Sequence, residues 1–156
     1  MAKIEFRELG SRDSLTGAPG FAIFHSHVIR AIAANSRNPQ PLSVLSLQLS
    51  GNVKAHHIIV AHQAILKVLR KEDFYCRASE IGFWIGLISQ AKGADAALKR
   101  LVASMNLLLA ADALSRAERT PKSVRPVLVI GQSIFLGNQE KVADFIERID
   151  EIHFRS

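Results

Sequence analysis

Residues 70–87, RKEDFYCRASEIGFWIGL, decide the fold. Two short apolar runs, Phe74-Tyr75-Cys76 and Phe83 to Leu87, flank a polar middle, which is the spacing of a β-hairpin. Tight hairpin turns favour Asn-Gly or Asp-Gly, whereas this one reads Ala78-Ser79-Glu80-Ile81-Gly82. An Arg-x-x-Asp pair, Arg70 and Asp73, stands in front of the first run. The spacing predicts strands over 74–78 and 82–88.

Working outward, Ile58, His62, Ile65, Leu66 and Leu69 share one stripe, so 55–70 reads as a helix. Leu45, Leu47 and Leu49 alternate with Ser46, Gln48 and Ser50, the mark of a strand with two distinct faces. Phe24, Val28 and Ile32 give a helix over 21–36, which SRNPQP breaks. After the hairpin, Leu98, Leu101, Val102, Met105, Leu108 and Leu109 recur at i, i+3, i+4, a long helix from about Ala94. RTPKSVRP ends it, VLVIGQSIF reads as a short buried strand, and Val142, Phe145, Ile146, Ile149 and Ile152 form a last amphipathic helix. The order is α-β-α-β-β-α-β-α, of the α/β class (an α+β sandwich). Its β-α-β-β-α-β centre is ferredoxin-like, between flanking N- and C-terminal helices. Such sheets carry helices on one face and leave the other for a ligand or an extra layer. Residues 1–20, with GSRDSLTGAPG at their end, read as a loop segment before a single domain over 21–156.

Composition narrows the partners. The chain has 156 residues, 48% apolar, enough for one self-sufficient core. Its most apolar run, near Leu107–Ala111, is far too short to cross a bilayer, and MAKIEFRELGSRD lacks a secretory apolar core. We expect a cytoplasmic protein with no membrane insertion. Twenty Lys/Arg against fourteen Asp/Glu give a formal +6, which suits anionic partners. The densest basic cluster, RTPKSVR (119–125), lacks the interleaved aromatics that stack on bases, so nucleic acid is not expected.

The single cysteine, Cys76, excludes an internal disulfide and reads as a small buried hydrophobe inside a strand. His25 and His27 share one helix, and His56, His57 and His62 another, at spacings that put no two imidazoles at i, i+4. No metal site and no cofactor are expected, and His62 reads as a satisfied core or boundary histidine. Trp84 belongs to the core or to the open sheet face. Neither a nucleophile elbow nor a phosphate-cradling glycine loop is present.

With that order established, several pieces resemble the GGDEF (diguanylate cyclase) family. DSLTG (13–17) resembles the family's Asp-x-Leu-Thr-Gly before its first helix, and PLSVLSLQLS (41–50) its first strand. VIG (129–131) resembles the Ser-Ile-Gly of its last long strand, and RIDEIHF (148–154) the Arg-Ala-Asp-x-Ala-x-Tyr of its final helix. The opening hairpin falls where the family carries Gly-Gly-Asp/Glu-Glu-Phe. The resemblance implies a sandwich of the nucleotidyl cyclase/GGDEF type over nearly the whole chain.

The departures imply lost catalysis. Ser79-Glu80-Ile81-Gly82-Phe83 keeps only the Phe of the signature. Ile81, a hydrocarbon, occupies the Mg²⁺-ligand slot, and Ser79 and Glu80 bring side chains where paired glycines let the substrate approach. The family's other metal-binding Asp matches Gln48, a neutral amide, whereas Mg²⁺ is ordinarily held by carboxylates and substrate phosphates. The guanine-reading Asn-Asp loop has no counterpart, since GNVKAHH runs almost directly into the helix. A shifted register could bring Glu80 to the acidic slot, but that would not restore Gln48.

One element remains. The family's product-binding site is an Arg-x-x-Asp five residues before the signature, and Arg70 and Asp73 stand at that offset from Ser79. A guanidinium offers a planar fork to guanine or phosphate, and a carboxylate accepts from guanine N1–H and N2. The family recruits a further Arg from the next helix or a partner subunit, and Arg100 stands near that place. The resemblance implies a non-enzymatic cyclic di-GMP receptor with Arg70, Asp73 and Arg100 as ligand residues, acting on a protein partner or a second copy. The rival expectation is a protein-interaction scaffold that binds no nucleotide, with Arg70 and Asp73 as a solvated ion pair.

Overall fold

A computed structural model describes residues 12–37, 41–117, 127–137 and 140–155. The basic cluster at 119–125 and most of the N-terminal segment lie outside them. The elements are α1 (Phe21–Arg37), β1 (Leu42–Ser50), α2 (Ala55–Val68), β2 (Phe74–Ser79), β3 (Gly82–Ile88), α3 (Ala91–Ala117), β4 (Leu128–Phe135) and α4 (Val142–Arg155). They follow the order read from the sequence.

The four strands form one sheet, ordered β2-β3-β1-β4, with every neighbouring pair antiparallel. Alternation along β1 divides the core in two. Leu45, Leu47 and Leu49, with Phe83, Ile85 and Leu87 of β3, meet Ile58 and Ile65 of α2 and Leu101, Met105 and Leu109 of α3. Leu42 and Val44, with Trp84, meet Phe24 and Val28 of α1 and Phe145, Ile146 and Ile149 of α4. The second sheet face is therefore covered by a third layer rather than open. Trp84, 1% exposed, lies at 5.8 Å edge-on to both Phe21 and Phe24. Cys76 is buried in the same layer.

Three expectations need correction. Strand β4 is not a buried strand: it is the sheet edge, its exposure alternates, and Leu128 and Ile130 are 56% and 53% exposed. Burial there is set by position in the sheet, which apolar content does not report. Helix α2 ends at Val68, so Arg70 stands in the turn beyond it. The long helix starts at Ala91 rather than near Ala94. Two glycines give close packing its room. A Cβ on Gly86 would meet the Phe74 ring at 2.2 Å, and one on Gly131 would meet Leu98 Cδ1 of α3 at 2.7 Å.

Candidate functional site

The DSLTG turn and the hairpin are bolted together. Gly17 takes φ +76°, a backbone conformation that favours glycine, and its N–H bonds the Asp13 carbonyl at 2.8 Å. This folds Thr16 over Asp13, whose Oδ2 accepts from the Thr16 N–H at 3.0 Å and the Thr16 hydroxyl at 2.6 Å. Arg77 Nη1 reaches the same carboxylate at 2.8 and 3.0 Å, with both side chains 9% exposed. Arg77 also donates from Nε to the Ser79 carbonyl at 3.3 Å and from Nη2 to the Glu80 carbonyl at 3.1 Å. Burial pulls the Asp13 pKa upward, but the Thr16 and Arg77 bonds outweigh it and hold it below its ordinary value. Arg77 escaped the sequence reading because a charged residue inside a strand gives no sign of a partner 64 positions away.

Beyond that bolt lies the turn. Gln48 pairs with Gly82 on one side and Ile130 on the other, and the Leu49 N–H bonds the Ile81 carbonyl at 2.8 Å. The structure thus brings together the two positions, 48 and 81, that the sequence reading matched to metal ligands. It fills them with an amide and a hydrocarbon. A β-bulge separates Arg77 from Ser79, Ser79 is buried, and Glu80 projects from the exposed turn. Ile81, Leu128 and Ile130 are exposed at this end, beside the exposed Glu80 of the turn. From Ser50 the chain reaches α2 through Gly51–Lys54 alone.

The Arg-x-x-Asp turn lies at the opposite end of the hairpin, before β2 begins. Asp73 Oδ2 accepts from the Arg70 backbone N–H at 2.8 Å, and the Asp73 N–H returns to the Arg70 carbonyl at 3.1 Å. The link is a backbone tether, not an ion pair between side chains. Arg70 is exposed and Asp73 half-buried. Burial, reinforced by Glu72, holds the Asp73 carboxyl above its ordinary pKa despite the Arg70 bond. Arg100 is exposed on a separate element, α3, which begins at this same end of the sheet. His62 is buried with its Nε2 at 2.9 Å from the Tyr75 hydroxyl, the satisfied boundary histidine expected. Among the described residues no helix is long and apolar enough to cross a membrane.

No protein-family model and no curated protein matches the sequence. Solved structures do. The chain superposes on the diguanylate cyclase SiaD of Pseudomonas aeruginosa, solved with its activator SiaC, at TM-score 0.74 and 16% identity, covering 94% of this chain and 57% of SiaD. It superposes on the GGDEF domain of DgcB from Caulobacter crescentus, in complex with c-di-GMP, at TM-score 0.67 and 14% identity, covering 93% and 88%. The active GGEEF domain of a diguanylate cyclase from Vibrio cholerae gives TM-score 0.63 at 17% identity, covering 86% and 87%. The fold is that of GGDEF domains, four antiparallel strands between helical layers. The chain spans just over half the length of SiaD.

Proposed function

We propose that this is a catalytically inactive GGDEF-type signalling domain that binds cyclic di-GMP through Arg70 and Asp73, with Arg100 as a third contact. The unit is one domain over 21–156, with the preceding loop pinned to it by Asp13. The observation that carries inactivity is the pairing of Gln48 with Gly82 beside Ile81, which leaves a metal corner without a carboxylate at either ligand position. The receptor reading is supported by the turn after α2. Its backbone tether fixes the direction of the Asp73 carboxylate while Arg70 stays exposed. A preset carboxylate loses less entropy on binding, and a nearby guanidinium complements guanine or phosphate. The DgcB GGDEF domain was solved with this dinucleotide.

Calorimetric titration of cyclic di-GMP into the purified chain, with Arg70→Ala and Asp73→Asn alongside, tests the reading. Micromolar or tighter binding that both substitutions abolish is the expected result. A folded protein that gives neither heat nor thermal shift overturns it and leaves the second reading, a protein-interaction scaffold. That reading draws on Ile81, Leu128 and Ile130, apolar and exposed at the other end, and on the SiaD structure, which contains an activator protein.

A further inference from the structure

Away from both ends of the hairpin, the packing of α2 against α3 assembles side chains that the reading above does not use. One ligand atom each of His56, His57 and Asp112 lies within 4.8 Å of the others. His56 Nδ1 is 3.0 Å from Asp112 Oδ2, and the two imidazole rings lie 4.0 Å apart between centroids. The histidines stand in the first turn of α2 and the aspartate in the last turns of α3, so the cluster spans two helices.

We propose that His56, His57 and Asp112 bind a divalent transition-metal ion of the Zn²⁺ class and clip the start of α2 to the end of α3. Two imidazoles and one carboxylate suit Zn²⁺ and its neighbours, whereas Mg²⁺ and Ca²⁺ take oxygen ligands. Three protein ligands leave a fourth tetrahedral position for water. His56 Nδ1 and Asp112 Oδ2 stand at about the spacing of two ligands on one ion; when the ion takes Nδ1, the ring proton is carried on Nε2, and no proton need leave the neutral ring.

The surroundings oppose this exchange in two respects, each of which can give way. His57 is buried beside the half-buried His56. The His57 Nδ1 accepts the Lys54 N–H at 2.8 Å, so the neutral ring carries its proton on Nε2 and gives up this helix-capping bond when either nitrogen ligates; water can take its place at exposed Lys54. Against the ion stands Arg116, whose Nε lies 3.3 and 3.2 Å from the Asp112 oxygens. It is 51% exposed and can turn to solvent. The sequence reading set these histidines aside as ligands because spacing along one helix cannot show a ligand supplied 55 residues later by another. The cluster closes the Gly51–Lys54 connection, at the end of the sheet where β1 meets the hairpin turn, so the ion would stiffen that short link.

The test is calorimetric titration of ZnCl₂ into the tag-free full chain, with MgCl₂ and CaCl₂ in parallel. One Zn²⁺ per chain is expected, with a raised thermal midpoint and no response to the other two ions. His56→Ala and Asp112→Asn weaken binding by about tenfold or more, Arg116→Ala tightens it, and His25→Ala on α1 leaves it unchanged. Absence of stoichiometric Zn²⁺ binding, or affinity unaffected by both ligand substitutions, overturns the proposal. If those variants fail to fold, Co²⁺ loaded into the wild-type chain decides. Intense visible bands of four-coordinate Co²⁺ support the site, and only the faint bands of the hydrated ion overturn it.

Discussion

The two ends of the β2–β3 hairpin, joined by a few residues of strand, are built on opposite plans. At the turn end the polar groups serve the fold. Arg77 bonds Asp13 and the Ser79 and Glu80 carbonyls, and at this end of the sheet Ile81, Leu128 and Ile130 are exposed hydrocarbon. At the open end, the Asp73 carboxylate accepts the Arg70 backbone N–H, while the Arg70 side chain faces solvent and the fold asks little of it. Scaffold and chemistry are therefore separable in one hairpin. Positions 48, 81 and 82 stand adjacent in the backbone whatever side chains they carry.

The sharpest way to break this contrast is Arg77→Met. It strands the Asp13 carboxylate, whose side chain is only 9% exposed, and should destabilise the domain by about 3–5 kcal/mol, read from urea unfolding. Adding Asp13→Asn should recover part of the loss, because the uncompensated charge is then gone. A small loss for Arg77→Met would mean the bolt is not what holds the turn.

Smaller in effect is Gly86→Ala, whose Cβ would meet the Phe74 ring at 2.2 Å. Overpacking of this kind costs about 1–3 kcal/mol. Phe74→Leu in the same chain should relieve it, measured by paired denaturation curves, since the clash lies with that ring alone.

Acid should act in two stages. Burial lowers the pKa of His27, His57 and His62 from 6.5, so the folded chain binds fewer protons than the unfolded chain below that pH. Their contribution is complete above pH 6.5 and is lost as the pH falls through their depressed values. The thermal midpoint should therefore drop between pH 7.5 and pH 5. A further loss should come below the ordinary 3.8 of Asp13, whose folded pKa is lowered. Asp73, raised by burial, works the other way and blunts the fall between the two stages.

The smallest stability effect belongs to the open end. Arg70→Ala removes an exposed side chain and should shift unfolding by no more than about 0.5 kcal/mol, even though we expect it to abolish dinucleotide binding. A large destabilisation would show that both ends of the hairpin serve the fold.

The order of elements was legible because each announces itself locally. Leucines 45, 47 and 49 alternate, α3 repeats at helical spacing, and Phe74 and Phe83 flank a polar turn. The candidate site was legible in part. The Arg-x-x-Asp offset and the hydrocarbon at 81 can be read from the chain, while the backbone tether between Arg70 and Asp73 cannot, since nothing in the residue types distinguishes it from an ion pair. The edge position of β4 was missed for a related reason: VLVIGQSIF is apolar enough for a central strand.

What the sequence by itself determined is the set of periodicities, hence the elements and their order, and the residue types at Gln48 and Ile81. Those properties belong to single residues and near neighbours. What only the tertiary structure decided is who meets whom across long separations: Arg77 with Asp13, Asp112 with His56 and His57, and the helices α1 and α4 with the second sheet face. Such pairings depend on how layers of side chains pack in three dimensions, and no spacing along the chain encodes them.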